Sequence, residues 1–270
     1  MKMWTNTKTL EGFVDDLLFT ESPSEADLAV LGSKSIKIKD FPNLKGIFRV
    51  GVGSDNIPFE EAKQRNIKVA FPKQKTIEYI FEETANFTCF LIFKMMYSDI
   101  GTIEPWKKTP REFLGNKNLL VIGQGNIGKR VSNKMSLFLN VVTYDERYNK
   151  ISDLKSKMQI ADCVSLHIPY TENNKNFIDS EKMSWMKNGS SLINTSRGAI
   201  VSEDSLEKEL ENNRLKAAFD VFWKEPYEGK LKKYYPNIFY MTPHVSSTNK
   251  EFLCGSSKDL KMFIKEIENA

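Results

Sequence analysis

The chain has 270 residues, of which 40% are hydrophobic and 27% charged, and its net charge is +4. This length suits two domains, and the composition is that of a globular protein and not of a disordered or collagen-like one. The longest apolar stretch, residues 85–97, contains Lys94 and follows two glutamates, so it predicts a buried helix and not a membrane span. The N-terminus lacks the pattern of a secretory signal, so we expect a cytoplasmic protein with no membrane partner.

The distribution of charged residues and cysteines excludes several other classes. Lysines are scattered without a basic block or interleaved aromatic residues, so we expect no nucleic-acid partner. The three cysteines are odd in number, widely spaced and set in apolar contexts, which predicts reduced core thiols and not a disulfide framework. With only two histidines and no ligand-like spacing, the sequence predicts no metal site.

The first hundred residues show a short rhythm of apolar runs and helix-like segments that predicts a small α/β domain. We expect apolar strands within residues 26–32, 44–53 and 67–71, a helix over 59–66 and a long helix over 77–97. Residues 100–118 contain two glycines and two prolines, which break both periodicities and predict a linker or an extended arm.

From residue 118 onward, apolar runs alternate regularly with polar segments of helical period. We expect strands within residues 118–123, 141–145, 163–168, 191–196, 215–222 and 238–243, and helices within 126–139, 180–186 and 203–213. The apolar runs are nearly continuous, as is typical of parallel strands that helices cover on both faces. This half therefore predicts a doubly wound parallel sheet.

A glycine-rich loop lies between the first strand and the first helix of this second half. Gly123, Gly125 and Gly128 have the spacing that permits a tight turn and lets backbone N–H groups meet a pyrophosphate. Asp145 ends the next strand, where a carboxylate accepts hydrogen bonds from an adenosine ribose and repels a 2′-phosphate. The pattern predicts NAD in preference to NADP, with a ligand-free tight turn as the alternative. Arg147 is interpreted as a solvated charge.

Three polar residues each follow a later apolar run of the predicted sheet. Taken singly, Arg197 suggests a surface arginine, Glu225 a loop carboxylate and His244 a structural histidine. Together, beyond the carboxyl ends of the strands, they can form a carboxylate clamp, a proton donor or acceptor, and a carboxylate that holds the imidazole. That set predicts hydride transfer at a hydroxyl carbon. The other histidine, His167, is expected on the adenine side of the cleft, without a chemical role.

Ordered motifs along the chain resemble those of the D-isomer-specific 2-hydroxyacid dehydrogenases, which include D-lactate, D-glycerate and D-3-phosphoglycerate dehydrogenases. The motifs that carry this resemblance are RVGVGSDNI, FEETANFTCFLI, VIGQGNIG, ADCVSLHIPYT, MKNGSSLINTSRGAIV, AAFDVFWKEP and MTPHVSST. The resemblance implies a Rossmann doubly wound parallel-sheet NAD domain, residues 96–245, inserted into a smaller flavodoxin-like α/β substrate domain. Residues 1–95 and 246–270 would form that discontinuous domain, with a returning helix at the C-terminal end.

The resemblance also implies a role for each residue that matches a motif. Arg197 would bind the substrate carboxylate and carbonyl, and His244 would be the general acid/base. Glu225 would pair with His244 and favour its protonated form, and the backbone at Val52 and Gly53 would contact the substrate carboxylate. Asp220 would hold the nicotinamide carboxamide. The other implied cofactor contacts are Thr84, Gly123, Gly125, Asn126, Ile127, Gly128, Asp145, His167, Pro169 and Thr195.

The reaction implied is NAD-dependent hydride transfer between nicotinamide and C2 of a small D-2-hydroxy acid or 2-oxo acid, in a homodimer. Glycerate, phosphoglycerate, lactate and a sugar acid stay open as substrates. The region before residue 49 is shorter than in the family, so the substrate domain is expected to have lost or trimmed an element. The alternatives are a non-catalytic NAD(H)-binding regulator and a degenerate enzyme whose shortened domain no longer closes.

Overall fold

The computed structural model describes residues 1–269 and divides the chain into two compact units. The first unit comprises Met1–Phe81 and the C-terminal segment from Ser247, and the second comprises Glu82–Ser246. The second unit is therefore inserted into the sequence of the first. Among the described residues, no helix has the length and apolar character needed to cross a bilayer.

The helices and strands follow the predicted alternation closely. The strands are β1 (Met3–Thr5), β2 (Leu28–Leu31), β3 (Gly46–Arg49), β4 (Lys68–Ala70), β5 (Gly101–Thr102), β6 (Lys107–Lys108), β7 (Asn118–Ile122), β8 (Asn140–Tyr144), β9 (Cys163–Leu166), β10 (Ser191–Asn194), β11 (Lys216–Phe219) and β12 (Phe239–Met241). The α-helices are α1 (Phe59–Gln64), α2 (Gln74–Met96), α3 (Asn126–Met135), α4 (Ile151–Ile160), α5 (Ser180–Ser184), α6 (Glu203–Glu211) and α7 (Lys250–Glu268). Short 3-10 helices cover Pro23–Glu25, Ile38–Asp40, Leu114–Asn116, Glu172–Asn174, Gly198–Ile200 and Lys230–Tyr234.

The sheet of the first unit is parallel, with the order β1-β2-β3-β4. A further segment lies beside the outer edge of β1, where Phe19 forms a parallel bridge with Met3. The Met3 N–H donates to the Leu18 carbonyl at 2.9 Å, and the Thr20 N–H donates to the Met3 carbonyl at 2.8 Å. Counting this segment as a strand gives the flavodoxin-like order 2-1-3-4-5. The shortened N-terminal region thus keeps one bridge of the second strand, and turns replace the helix before it.

Successive residues of the central strand β2 point to opposite faces of this sheet, and each face has its own core. Leu28 and Val30 pack with Phe48 and with the apolar stripe of α7. Ala29 and Leu31 pack on the other face with Ile47 and the residues around α1. The strand is buried throughout because both faces are covered.

The N-terminus of α2 is held by a carboxylate from α7. Oδ2 of Asp259 accepts hydrogen bonds from the Lys73 N–H and the Thr76 hydroxyl, each at 2.8 Å. Gly255 allows this approach, because a Cβ at that position would lie 2.6 Å from the Thr76 hydroxyl oxygen. Asp259 therefore caps a helix that begins far away in the sequence.

Asp259→Ala is expected to destabilise the first unit by about 1–3 kcal/mol, since a partly buried backbone N–H and a buried hydroxyl lose their acceptor. Urea unfolding followed by circular dichroism measures this loss. The matched control is Glu266→Ala, which removes an exposed carboxylate from the same helix and is expected to change stability by less than about 0.5 kcal/mol. Equal unfolding midpoints for the two variants would contradict the capping role.

The second unit contains a six-stranded parallel sheet with the order β12-β11-β10-β9-β7-β8. The strand order reverses between β7 and β9, which creates a crevice at the carboxyl ends of these strands. Apolar side chains of the strands alternate between two cores: Leu120 and Val164 lie in one, and Leu119 and Cys163 in the other. The predicted doubly wound sheet and the α/β class are confirmed.

Three local features differ from the sequence expectations. Helix α4 was not predicted, because only Leu154 and Met158 of its residues are buried and its helical period is weak. The predicted arm contains the β5-β6 hairpin, in which Gly101 has a φ of 114°. The prediction of core thiols is wrong for Cys254, which is exposed on α7, whereas Cys89 and Cys163 are buried.

Candidate active site

The glycine-rich loop follows β7 at the point where the strand order reverses, and it leads directly into α3. Gly123 has a φ of 93°, a conformation that favours glycine, and a Cβ there would overlap the His167 carbonyl group. A Cβ at Gly128 would overlap the Gly123 carbonyl oxygen. The packing of the turn itself therefore explains the first and third glycines of the motif.

The packing of the protein does not explain the middle glycine. Gly125 has a φ of −81°, which any residue can adopt, and a Cβ there would meet no atom within 4 Å. It lies at the N-cap of α3, where the N–H groups of the first helical turn favour an anion. The absent side chain leaves room for a pyrophosphate to approach the backbone, so this loop fits a dinucleotide.

Gly125→Val is expected to raise the dissociation constant for NADH by at least about tenfold, because its side chain occupies the space left for the pyrophosphate. Fluorescence titration with NADH measures this change. Thermal unfolding is expected to stay within about 2 °C of the wild type, since a Cβ at this position meets no protein atom within 4 Å. The contrasting variant is Gly128→Ala, which is expected to destabilise the fold. Unchanged NADH affinity in Gly125→Val would contradict the assignment.

Asp145 follows β8 and lies beside the glycine loop. Its Oδ2 accepts the Gln124 N–H at 2.9 Å, and its carboxylate forms a two-pronged ion pair with Arg147, with distances of 2.8 Å to Nε and 2.7 Å to Nη2. The hydrogen bonds from Arg147 and the N–H of Gln124 outweigh burial and hold the pKa of Asp145 well below its usual value. The carboxylate is therefore ionised throughout the physiological pH range. Arg147 is paired with it and is not simply a solvated charge.

His244 and Glu225 form a hydrogen-bonded pair beyond β12 and β11. Nδ1 of His244 lies 2.8 Å from Oε2 of Glu225, and Oε1 of Glu225 accepts the Phe222 N–H at 3.1 Å. Burial alone would raise the pKa of Glu225, but the hydrogen bond and charge of His244, the Phe222 N–H and the charge of Arg197 together lower it. Glu225 is thus an anion that orients the imidazole and leaves Nε2 for proton exchange with a ligand.

The loop that carries His244 is fixed by Asp220, which follows β11 and is fully buried. Oδ1 of Asp220 accepts the Thr242 hydroxyl at 2.6 Å and the Val245 N–H at 2.9 Å, and Oδ2 accepts the Ser246 N–H at 2.8 Å. His244 itself has a φ of 54° and turns the chain between these contacts. These bonds bracket His244 on both sides. The contact of Asp220 with the nicotinamide carboxamide stays a prediction.

Arg197 lies on the loop after β10, and a close backbone approach brings this loop to the one that bears Glu225. A Cβ at Gly198 would overlap the backbone of Phe222 and Trp223, so only glycine permits the approach. The Asn194 side chain donates to the Arg197 carbonyl at 2.9 Å, and Nη1 of Arg197 donates to the Ser196 carbonyl at 2.8 Å. Arg197, Glu225 and His244 therefore belong to neighbouring loops at one edge of the sheet.

Other predicted cofactor residues lie around the same edge. Thr195 shares a hydrogen bond of 2.8 Å with Thr88, whose hydroxyl also donates to the Thr84 carbonyl at 2.7 Å. His167 follows β9 and shares a hydrogen bond of 2.8 Å with Ser165. Burial lowers the pKa of His167 to about 3, so this imidazole is neutral. The remaining predicted positions of this group are Asn126 and Ile127 at the start of α3 and Pro169 after β9.

The predicted substrate contacts at Val52 and Gly53 lie in the first unit, on the loop after β3. A buried network supports this loop: Nε of Arg49 donates to Oδ1 of Asn56 at 3.2 Å, and the Asn56 amide donates to the Gly32 carbonyl at 2.9 Å. Gly51 has a φ of 120°, which allows the loop to turn. The backbone of Val52 and Gly53 is therefore held in a defined conformation.

The family assignment follows from a match that covers most of the second unit. Residues 100–246 match the family model described as "D-isomer specific 2-hydroxyacid dehydrogenase, NAD binding domain". The chain belongs to this family. The predicted family and enzyme class are confirmed: the protein is a D-isomer specific 2-hydroxyacid dehydrogenase, an oxidoreductase with an NAD-binding domain.

Curated relatives of this dehydrogenase are similar in sequence over most of the chain. The hydroxypyruvate reductase of Thermotoga maritima is 29% identical over 245 residues, which cover 84% of this chain and 80% of the relative. The glyoxylate reductase of Thermococcus litoralis is 30% identical over 239 residues, which cover 79% of this chain and 71% of the relative. The D-3-phosphoglycerate dehydrogenase of Bacillus subtilis is 31% identical over 230 residues, but this chain covers only 42% of its length.

A solved structure shows the same fold. The D-lactate dehydrogenase from Aquifex aeolicus complexed with NAD and lactic acid has a TM-score of 0.80 and 22% identity. The match covers 100% of this chain and 97% of that one. The predicted Rossmann unit together with a smaller α/β unit is the architecture of this dehydrogenase family.

Two interactions in this dehydrogenase differ from what the sequence predicts. The sequence favours a solvated Arg147, although the spacing of an arginine two residues after the acid that ends β8 permits the observed ion pair. The hydrogen bonds by which Asp220 fixes the loop of His244 have no signal in the sequence, because no pattern specifies which N–H groups donate to a buried carboxylate.

Proposed function

We propose that this dehydrogenase interconverts a small D-2-hydroxy acid and its 2-oxo acid with NAD(H), using Arg197, His244 and Glu225. The observation that carries the proposal is the hydrogen bond between Nδ1 of His244 and Oε2 of Glu225 in the same unit as the glycine loop. An imidazole held by a carboxylate is a general acid/base suited to a hydroxyl proton.

Each group has a distinct task in the proposed mechanism. In the reducing direction, the Arg197 guanidinium binds the substrate carboxylate and polarises the 2-oxo group. Bound nicotinamide supplies the hydride that C2 of the substrate receives. Protonated His244 donates its proton from Nε2 to the oxygen at C2, and Glu225 stabilises the imidazolium before the transfer. Oxidation of the hydroxy acid reverses these steps, so neutral His244 then accepts the hydroxyl proton.

The substrate contacts predicted at the backbone of Val52 and Gly53 belong to the first unit, whereas the predicted cofactor contacts and Arg197 belong to the second. On the cofactor side, Asp145 accepts hydrogen bonds from the adenosine ribose and favours NAD. The homodimer and the cytoplasmic location stay predictions. Ile103 and Trp106 in the β5-β6 hairpin, 71% and 77% exposed, are candidate anchors for a second copy.

The test is an NADH oxidation assay with five 2-oxo acids: glyoxylate, hydroxypyruvate, pyruvate, phosphohydroxypyruvate and 2-oxoglutarate. Relatives named hydroxypyruvate reductase and glyoxylate reductase place the first two at the head of the panel. Turnover of one or more acids supports the enzyme, and the ranking by size and charge identifies the substrate class. NADH binding without turnover of any acid would favour the alternative of a regulator or degenerate enzyme.

A further inference from the structure

The loop that carries Glu225, residues 221–228, is held by its side chains and not by its main chain. In the part of the chain that the structure describes, no backbone–backbone hydrogen bond involves a residue of this loop. The Glu225 carboxylate accepts the Phe222 N–H, but this bond lies within the loop and attaches it to no other element. The position of Glu225 therefore depends on the side chains that flank it.

Two aromatic residues, Trp223 and Tyr227, attach this loop on either side of Glu225 and are here called the brace. Nε1 of Trp223 donates to the Val201 carbonyl at 2.7 Å. The Tyr227 hydroxyl donates to Oε1 of Glu203 at 2.6 Å. Trp223, Glu225 and Tyr227 are all half-buried, whereas the residues between them are exposed. The brace thus ties both sides of Glu225 to one short segment of the chain.

The segment that receives the brace begins at Arg197. The 3-10 helix Gly198–Ile200 follows Arg197 directly, and the Val201 N–H closes it by donating to the Gly198 carbonyl at 3.0 Å. Val201 is fully buried and forms a parallel bridge with Ile178. The Trp223 indole is therefore anchored at a well-packed point that is close in sequence to Arg197.

Packing also fixes the two rings of the brace. The Tyr227 ring stacks on Phe222 with 4.8 Å between the ring centres, and the Trp223 ring lies 5.9 Å from that of Phe219. Burial and the hydrogen bond with Glu203 raise the pKa of Tyr227 above its usual value, so its hydroxyl stays protonated and remains a donor. Both hydrogen bonds of the brace are therefore formed by side chains that have little freedom to turn away.

We propose that Trp223 and Tyr227 are positioning residues of this dehydrogenase, which hold Glu225 against Nδ1 of His244 and thereby keep the imidazole in place for proton transfer. The inference rests on the proposed function and deepens it, since it identifies the side chains through which the carboxylate is oriented. Loss of either hydrogen bond releases one side of the loop. A displaced Glu225 no longer orients the imidazole, and the rate falls because the reacting groups are misplaced.

The variants Trp223→Phe and Tyr227→Phe each remove one hydrogen bond of the brace and keep an aromatic ring. Each should lower kcat for reduction of the preferred 2-oxo acid by about three- to tenfold, the effect of one lost hydrogen bond. The KM for the acid and the dissociation constant for NADH should each change by less than about twofold, because both variants leave Arg197 and the glycine loop unaltered. Steady-state kinetics and fluorescence titration measure these values.

Three further variants serve as controls and leave the loop itself unaltered. Glu203→Ala removes the acceptor of the Tyr227 hydroxyl and should reproduce the loss of kcat seen in Tyr227→Phe. Glu203→Gln keeps an acceptor and should recover most of that loss. Trp185→Phe replaces another half-buried indole of the second unit, whose ring contacts Lys155, and should leave kcat unchanged.

Two readouts distinguish positioning of Glu225 from a general loss of stability. In a Glu225→Ala background no carboxylate is left to position, so Trp223→Phe and Tyr227→Phe should each change kcat by less than about twofold. The chain has only two histidines, so NMR of the imidazole groups observes His244 directly, with His167 as the internal reference. In both variants the resonance of the proton between Nδ1 of His244 and Glu225 should move upfield, whereas the His167 resonances stay in place.

The outcomes separate the brace from the proposed function. Equal losses of kcat in the wild-type and Glu225→Ala backgrounds would overturn the inference. Wild-type kcat and an unchanged His244 resonance in both phenylalanine variants would also overturn it. In either case, turnover by the wild type leaves the proposed function intact. Absence of wild-type turnover with all five 2-oxo acids would overturn both.

Discussion

His244→Ala lowers kcat for reduction of the preferred 2-oxo acid by about 10²- to 10⁴-fold, the usual contribution of a general acid/base. The reason is that Nδ1 of His244 is engaged by Glu225 and Nε2 is the nitrogen that exchanges the proton. The dissociation constant for NADH should change by less than about twofold, because the glycine loop and Asp145 do not depend on this side chain. Single-turnover kinetics and NADH titration separate the two effects.

The control for the His244→Ala variant tests whether the loss of activity comes from a distorted loop or from the loss of proton transfer. Asp220 fixes the backbone on both sides of His244 through the Thr242 hydroxyl and the N–H groups of Val245 and Ser246. His244→Asn tolerates the positive φ better than Ala does and keeps a polar group. Comparable losses in the Ala and Asn variants would assign the effect to proton transfer. Wild-type kcat in either variant would exclude His244 as the acid/base.

Glu225→Gln is expected to lower kcat/KM for reduction by about tenfold or more. Glutamine keeps the hydrogen-bonding shape but removes the negative charge that stabilises a proton on the imidazole. Steady-state kinetics measure this loss, and Glu228→Gln, which alters a carboxylate that is 74% exposed, is the matched control. Equal kcat/KM for Glu225→Gln and the wild type would contradict the pairing.

Local sequence patterns predicted the parts of the site that depend on neighbouring residues. The turn at Gly123 requires a positive φ and close packing against Gly128. The spacing of the glycines predicts both features, because only glycine satisfies them without strain. Arg197, Glu225 and His244 each follow a strand of a parallel sheet, and parallel strands bring their carboxyl ends to one edge. For these residues, chain order and strand polarity suffice to predict a common edge.

Contacts across long stretches of sequence could not be predicted in the same way. Asp259 caps α2 by accepting hydrogen bonds from the Lys73 N–H and the Thr76 hydroxyl. The sequence of an amphipathic helix does not indicate which distant N–H group will donate to one of its carboxylates. The reduction of one strand to a single bridge at Phe19 depends on its pairing with β1, since an isolated segment of that length is not stable as a strand. Such long-range contacts depend on tertiary packing, which neither hydrophobic periodicity nor local sequence motifs specify.

Arg197→Ala is expected to lower kcat/KM for the 2-oxo acid by about 10³-fold or more, because it removes both the grip on the carboxylate and the donor that stabilises charge on the carbonyl oxygen. Loss of the carboxylate contact weakens binding of the ground state and of the transition state equally, and therefore raises KM. Loss of the contact with the developing charge weakens binding of the transition state only, and therefore lowers kcat. Arg197→Lys keeps the positive charge without the planar fork and should recover only part of each loss. Steady-state kinetics of both variants measure how much of the loss is in KM and how much is in kcat.

A substrate analogue distinguishes recognition from a structural effect of Arg197. The wild type should prefer a 2-oxo acid over its uncharged 2-oxo amide by at least about tenfold in kcat/KM, since only the acid pairs with the guanidinium. In Arg197→Ala this preference should fall strongly, because the carboxylate has lost its charged partner and keeps only the neutral backbone donors predicted at Val52 and Gly53. A purely structural role would lower kcat/KM for acid and amide by the same factor and leave the preference unchanged. The ratio between the two substrates therefore tests the carboxylate contact independently of how stable the variant is.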